Sequence, residues 1–170
     1  LMDILVGENT SIDNGELIFN NKNIEYLGPQ KRRDLSMAFV PENRLGHSAV
    51  PELTLSENIL LSQFPNNKFS KNGILNRNSI EDYAIKVIEN FNVVTPGSDA
   101  KASSLSGGNL QKFVIGREIS SKPKLLIISH PTWGIDAGAE HSIRESLIDL
   151  SKNGTSIIVL SQDLDELIEI

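Results

Sequence analysis

The sequence contains no cysteine, no long apolar run and no Gly-Lys pair, and each absence excludes a class of function. Without cysteine there are no disulfides or thiolate metal sites, and a cytoplasmic setting is natural. The longest apolar runs, residues 125–128 and 157–160, fall well short of the roughly 20 residues that span a bilayer, so membrane contact would have to come through a partner protein. The three histidines, His47, His130 and His141, are too scattered to indicate a zinc site.

Acidic residues outnumber basic ones by 22 to 16, which gives a net charge of −6. A surface of this sign repels a phosphate backbone, so nucleic-acid binding is disfavoured as the main function. The missing Gly-Lys pair matters for nucleotides, because a loop of the form G-x-x-x-x-G-K-[S/T] cradles the phosphates of ATP within its own domain. These 170 residues therefore contain no phosphate loop of that form.

The rest of the composition, 39% hydrophobic and 22% charged residues over 170 positions, fits one globular domain or one domain with a small subdomain. Short β-branched strands alternate with amphipathic helices, which predicts an α/β fold with a parallel sheet covered by helices. The predicted elements of this core are strands at 37–40, 125–128 and 155–160, a helix at 137–151, and a short antiparallel ribbon at 16–24 after a turn signal at Asn14-Gly15.

Residues 52–104 differ from the rest of the chain because they show no clear strand. We predict a short helix at 55–61, loops at 65–67 and 70–73, and a second helix opened by a capping box at Asn78-Ser79-Ile80-Glu81. The chain is accordingly divided into a partial core with the ribbon (1–51), a helical subdomain (52–104) and the remainder of the core (105–170).

A glycine-rich stretch, Leu105-Ser106-Gly107-Gly108-Asn109-Leu110-Gln111-Lys112, opens a segment with helical periodicity. Ser106 is a good N-cap, and the two glycines let a ligand approach the backbone closely. The free N–H groups of the first turn, with the positive end of the helix dipole behind them, suit an anion and above all a phosphate. Taken alone, Ser-Gly-Gly favours a plain capped turn, so the downstream sequence decides.

This octet, with the segment Pro123–Thr132 downstream, resembles the signature motif and Walker B strand of ATP-binding cassette (ABC) transporter ATPases. The Asn-Leu-Gln-Lys continuation is similar to the second nucleotide-binding half of bacterial importers for simple sugars or nucleosides, and Pro41-Glu42-Asn43-Arg44 fits the same group. The resemblance covers essentially the whole chain, with its motifs in order. It implies a P-loop NTPase-like core that lacks its first strands and phosphate loop, with ATP and Mg²⁺ as cofactors.

Four positions depart from the catalytic site of the family. Walker B strands usually end in Asp-Glu, which serve the magnesium ion and the attacking water, whereas Ser129 and His130 occupy those positions in this chain. The Gln-loop position is Glu42 and the switch histidine position is Gln162. Losing the carboxylate removes the charge that holds the metal, so we expect a degenerate site with Ser129 at most a weak contact of a magnesium-bound water. The alternative is His130 acting as a base near neutral pH.

The segment Gly134–Ala139 matches the family's D-loop, in which Asp136 would cross the interface between two cassettes. An aspartate at this place is also a sound helix N-cap, and the two roles are compatible. Trp133 stands where the family often has arginine, and a lone tryptophan beside a loop favours packing or an interface over ligand stacking.

In the family, two cassettes stack head to tail, and each ATP lies between the phosphate loop of one and the signature motif of the other. The resemblance implies that Ser106, Gly107, Gly108 and Asn109 contact the ATP of a partner cassette. It also implies an ATPase at the cytoplasmic face of the inner membrane, bound to permease subunits and served by a periplasmic binding protein, with no nucleic acid involved. The isolated chain would be inactive.

Two alternatives stay open: an ABC protein that remodels nucleic acid or ribosomes, which the acidic balance disfavours, and an interaction domain that kept the fold without the chemistry. The sequence does not identify the transported substrate, because the binding protein and permease choose it. Leu1–Gly7 has the pattern of a helix end and 163–170 that of an interrupted helix. We therefore expect a fragment of a longer protein, with a phosphate loop and a first cassette upstream.

Overall fold

A computed structural model of the protein describes residues 1–11, 14–63, 69–71 and 73–170. The helices are α1 Met2–Val6, α2 Pro29–Asp34, α3 Leu55–Gln63, α4 Arg77–Asn90, α5 Gly107–Ile119, α6 Ala137–Lys152 and α7 Leu164–Glu169, with one 3₁₀ turn at Ala102–Ser104. The strands are β1 Ile18–Phe19, β2 Lys22–Asn23, β3 Met37–Val40, β4 Ser70–Lys71, β5 Ile74–Leu75, β6 Leu125–Ser129 and β7 Ser156–Leu160. None of the helices within these ranges combines the length and apolarity that a bilayer crossing requires. The loop predicted at 65–67 lies outside the described residues.

A parallel sheet with the strand order β3-β6-β7 forms the centre of the fold. Met37 lies opposite Leu125, and Leu125 lies opposite Ser156 on the other side. Every residue of β3 and β6 is buried, whereas β7 is mostly half-buried. Parallel strands covered on both faces are continuous apolar runs in the sequence, which is why all three were predictable. The α/β fold class is confirmed.

Side chains that alternate along the strands feed two separate cores. The first core lies on the side of α3, α4, α5 and α6 and takes from the sheet Ala38, Val40, Leu126 and Ile128. The second lies on the side of α1 and the ribbon and takes from the sheet Met37, Phe39, Leu125 and Ile127. Both faces of the sheet are therefore covered. The carboxyl ends of the three parallel strands lie together at one end of the sheet, which these two cores leave accessible.

Two fully buried arginines join segments that are distant in the fold. Arg32 of α2 donates to five carbonyls, on Ile4 and Leu5 of α1 and on three residues within 24–27. Arg117 of α5 donates to the carbonyls of Ser48 and Asn58, at 2.8 and 3.1 Å. A buried guanidinium is tolerated only when its N–H groups are satisfied, so these contacts fix α1 against α2 and α5 against the 48–58 segment.

The prediction of no strand within 52–104 is wrong, because β4 pairs with β5 in an antiparallel hairpin. Each of these strands has two residues, too few for a periodic pattern to show. The predicted capping box is also wrong. The N-cap of α4 is Asn76, whose Oδ1 accepts the Ser79 N–H at 3.2 Å. Both Asn76 and Asn78 have the side chain of a cap, and nothing at Arg77 prevents the helix from extending to the earlier one.

Candidate functional site

The carboxyl ends of the three parallel strands open into one cavity of about 460 Å³. β3 leads into Glu42, β6 into His130 and β7 into Gln162, so three positions predicted from separate motifs line the same space. The other lining residues are Thr132, Trp133, Gly134, Glu140, Asp163 and Glu166. Open α/β sheets bind ligands at this edge, so the cavity is the candidate nucleotide site of the chain itself.

His130 is held firmly at the end of β6. Its φ of 47° is left-handed, which is uncommon for a residue other than glycine, and its N–H donates to the Leu160 carbonyl at 2.9 Å. The ring nitrogen Nδ1 lies 3.3 Å from the Ser161 hydroxyl and 3.9 Å from Oε2 of Glu166. The Trp133 ring lies beside it, with 5.8 Å between centroids. The imidazole is therefore held through Nδ1 by Ser161, which follows β7, and by Glu166 of α7.

Glu166 anchors the loop that follows β6, a role that its sequence context does not signal. Its side chain is 5% exposed, and Oε1 accepts both the N–H and the hydroxyl of Thr132, at 2.7 and 2.5 Å. In the sequence this glutamate belongs to the acidic run 163–166, which has the form of a solvated helix start. The burial comes from packing between distant segments, so no local pattern indicates it.

The residues that line the cavity carry mainly negative charge, which repels a triphosphate. Four of its lining residues are carboxylates, Glu42, Glu140, Asp163 and Glu166, and within the described part of the chain no lysine or arginine lines it, although Arg144 behind the lining pairs with Glu140. Carboxylates and phosphates repel one another most strongly where water is scarce. Among the described residues, this lining supplies no positive charge for the phosphates of a nucleotide.

The position expected to contact magnesium fits no better. Ser129 is buried at the end of β6 and is not among the residues that line the cavity. Within the ranges that the structure covers, no group of three or more His, Asp or Glu side chains is placed to hold a metal ion. A serine hydroxyl without an acidic neighbour lacks the charge that Mg²⁺ requires, so these residues do not fit the metal.

The start of α5 has the opposite character. Ser106 is its N-cap, and its hydroxyl oxygen accepts the Asn109 N–H at 3.4 Å and the Asn109 side-chain amide at 3.0 Å. Asn109 in turn accepts the Val94 N–H at 2.9 Å. Ser106 and Gly107 are exposed, and Gly108 is half-buried. This open first turn, backed by the dipole of a 13-residue helix, can bind an anion that another molecule presents.

Asp136 caps α6 at the far end of the loop after β6. Its Oδ1 accepts the Ala139 N–H at 3.0 Å, and its Oδ2 lies 3.9 Å from Nζ of Lys112 on α5. The hydrogen bond from Ala139 lowers the pKa of the Asp136 carboxyl, and Lys112 lowers it further. The side chain is still 73% exposed, so the cap leaves Asp136 accessible to a second protein.

Comparison with known proteins is consistent with this geometry. Residues 1–133 match the family model described as ABC transporter. The chain is 40% identical over 161 residues to the nucleoside import ATP-binding protein of Lactococcus lactis subsp. cremoris. The matched region covers 95% of this chain and 32% of that protein. It is 36% identical over 172 residues to the glucose import ATP-binding protein of Haloferax volcanii, which covers 100% and 31%. The chain thus spans about a third of the length of the curated relatives it matches.

Solved structures show the same fold at lower sequence identity. The dimeric structure of a bacterial ABC transporter cassette matches with a TM-score of 0.74 and 20% identity, over 92% of this chain and 66% of that one. A post-hydrolysis ATP-binding cassette bound to ADP and Pi matches with a TM-score of 0.73 and 23% identity, over 91% and 65%.

Proposed function

The chain belongs to the ABC transporter family, and from that premise we propose that it is part of the ATP-binding component of an importer for a simple sugar or a nucleoside. The printed names of its relatives, a nucleoside and a glucose import ATP-binding protein, support this substrate class. In the proposal, ATP binding and hydrolysis by the assembled complex drive uptake. The complex lies at the cytoplasmic face of the membrane, with permease subunits as partners and a periplasmic binding protein delivering the substrate.

We further propose that the two nucleotide sites of the complex differ in activity. The chain's own site is degenerate, and its signature motif completes the site of a partner cassette. The observation that carries this is the contrast in charge: the cavity at Glu42, His130 and Gln162 is lined by carboxylates, whereas the first turn of α5 is an open, positively polarised surface.

The residues at the start of α5 act on ATP held by the partner through hydrogen-bond donors of fixed direction and through the positive end of the helix dipole. Ser106 has its oxygen occupied by Asn109, so its hydroxyl hydrogen is the part free to reach outward. The N–H groups of Gly107 and Gly108 carry the positive end of the helix dipole, and neither residue has a side chain of its own between that end and the phosphate. Donors fixed before the reaction stabilise developing charge without reorganising. Residues 1–51 and 105–170 form the core that holds this surface, and 52–104 form the helical subdomain.

The test is ATPase activity and transport by the complex reconstituted in membranes. Gly107→Asp and Ser106→Arg fill the approach to the first turn of α5, and we expect each to lower the ATPase rate by at least about 100-fold, the scale of losing one transition-state donor. His130→Glu, which restores an acid to the degenerate site, is expected to change the rate by less than about threefold, because the other groups of that site stay altered.

Gly28→Asp is the matched control. Gly28 is the N-cap of α2, with a φ of −68° and open space where its Cβ would lie, and aspartate is favoured at that position. The control introduces the same side chain at another helix start and should leave activity intact. Full activity of Gly107→Asp, in a complex that still assembles, would mean that this signature motif faces no working site.

A further inference from the structure

Three segments of the chain meet at the guanidinium of Arg44. Nη2 donates a hydrogen bond to the Trp133 carbonyl in the loop after β6. A Cβ placed on Gly107 would lie 3.0 Å from Nη1, and one placed on Gly134 would lie 3.5 Å from Nη2. The guanidinium therefore lies against both glycines, more tightly against Gly107, between the first turn of α5 and the turn that lines the cavity.

The loop after β6 and α5 are also joined directly. Gln111 donates to the Pro131 carbonyl at 3.2 Å, and a Cβ on Gly108 would contact Ile135 at 3.6 Å. What Arg44 adds is the third segment. Arg44 belongs to the segment that follows β3, and it lies two residues after Glu42, which lines the cavity. Arg44 thus adds the segment after β3 to the direct contacts between the loop after β6 and the signature motif.

From these contacts we infer that Arg44 is a positioning residue, which clamps the loop after β6 onto the first turn of α5. This rests on the proposed function for what the clamp serves: it holds the signature motif and Asp136 in one arrangement toward the partner cassette. Glycine suits both positions: a Cβ on Gly107 would press on the guanidinium, whereas Gly134 has a left-handed φ of 66° and space for a Cβ in ordinary contact with it.

Arginine suits this position better than lysine. Its planar guanidinium offers several N–H donors in fixed directions, so Nη2 can bond the Trp133 carbonyl while Nη1 packs over Gly107. An ammonium group reaches the carbonyl but leaves the space over Gly107 unfilled. Arg44→Lys should therefore act as a partial clamp, and Arg44→Met, which is close in length and carries no donor, as none.

The first experiment uses Trp133, the only tryptophan of the chain, as a reporter of the loop. Time-resolved fluorescence anisotropy should show a larger amplitude of fast motion in Arg44→Met than in the parent chain, with Arg44→Lys between the two. Arg77→Met removes an exposed arginine from the start of α4 and should leave the decay unchanged. An Arg44→Met decay equal to that of the parent, in protein with unchanged circular dichroism, overturns the clamp.

The second experiment measures ATPase kinetics of the reconstituted complex. A displacement of about 1 Å at a reacting site can lower the rate by roughly 100-fold, so we expect Arg44→Met to lower kcat by about 10- to 100-fold. KM for ATP should stay within about twofold, because the partner's phosphate loop supplies most of the ground-state binding. Partial recovery of kcat in Arg44→Lys supports the clamp. A raised KM with unchanged kcat contradicts it.

The two proposals fail in distinguishable ways. If Gly107→Asp abolishes activity while Arg44→Met alters neither kcat nor the Trp133 decay, the signature motif works and the clamp does not exist. If Gly107→Asp leaves activity intact, the proposed function fails, and the anisotropy of Trp133 alone decides whether Arg44 holds the loop.

Discussion

Gly7 lies where the end of α1 meets α2 and the segment before α2. It ends α1 with a left-handed φ of 88°. A Cβ there would lie 2.4 Å from the Leu27 carbonyl oxygen and 2.8 Å from Nε of Arg32. Two separate requirements therefore fall on one position: a backbone conformation that favours glycine, and an approach too close for any side chain.

These two requirements can be separated by comparing Gly7→Ala with Gly154→Ala. Gly154 has a similar φ of 94° but open space where its Cβ would lie. Gly154→Ala should cost about 1 kcal/mol from the backbone conformation alone. Gly7→Ala should cost about 3 kcal/mol or more, because it also displaces a buried guanidinium from its carbonyls. Urea denaturation gives both free energies of unfolding, and equal losses would show that Arg32 adjusts freely.

Which single residues could be predicted depends on how far away their partners are. Ser106 and Asp136 were predicted as helix caps, and both are, because a cap bonds a backbone N–H three residues on. Arg32 and Arg117 were not predicted to be buried. Their bonds reach Ile4, Ser48 and Asn58, and only the folded chain brings these groups together.

At the scale of elements, α5 places two adjacent charged side chains, Arg117 and Glu118, in the interior. Glu118 bonds Nε of Arg117 at 3.0 Å through Oε1 and Arg33 of α2 at 2.9 Å through Oε2. The Glu118 carboxylate thus accepts hydrogen bonds from two guanidiniums, one on α2 and one on α5. Burial alone would raise the pKa of the Glu118 carboxyl, but Arg33 and Arg117 outweigh it and hold the pKa below its ordinary value.

Glu118→Gln should destabilise the protein by about 3 to 5 kcal/mol, because it leaves Arg117 buried without a counter-charge. Since the folded-state pKa is lowered, the contribution of Glu118 is complete above the ordinary glutamate pKa and is lost as pH falls from there through the lowered value. Denaturation measured from pH 7 down to pH 3 should therefore show a flatter decline for Glu118→Gln than for the parent.

The exposed Glu81 of α4 provides the control, and Glu81→Gln should change the free energy of unfolding by less than about 0.5 kcal/mol. If Glu118→Gln proves as mild as this control, the interaction of Glu118 with the two arginines contributes little net stability.

Elements with strong apolar patterns were predictable and those with weak ones were not. β3 and β6 are buried on both faces, so their sequences are continuous apolar runs. The six-residue α2 has Gly28 and Pro29 at its start and three basic residues, 31–33, which together have the form of a polar turn. Leu27 and Leu35 on either side of α2 pack against the second core, and together with the burial of Arg32 they show that this segment belongs to it.

For the whole molecule, the missing chemistry predicts that the isolated 170-residue chain hydrolyses ATP no faster than background. The chain has no Gly-Lys pair, and Ser129, His130 and Gln162 replace the groups that the family uses. The four carboxylates around the cavity further oppose a triphosphate. A phosphate-release assay with magnesium and ATP decides the matter. Magnesium-dependent turnover that His130→Ala abolishes would instead establish His130 as a working base.

The meeting of Glu42, His130 and Gln162 follows from topology once a parallel sheet is predicted, because each residue comes after a strand and the carboxyl ends share one edge. The negative charge of the cavity was not predictable in the same way. Glu140 and Glu166 enter it from α6 and α7, and their sequences are those of ordinary solvated helices.

The pairing of β3 with β6 also sets an order of events during biosynthesis. At about 5 to 20 residues per second, a ribosome needs several seconds after completing β3 to reach residue 125. The carbonyls bound by Arg32 all precede it in the chain, so α1, α2 and the ribbon can cover one face of β3 early. β3 then still lacks its pairing strand β6, and its Ala38 and Val40 face lacks the later helices of the first core, so a nascent chain paused in the 64–124 region exposes that face to chaperones.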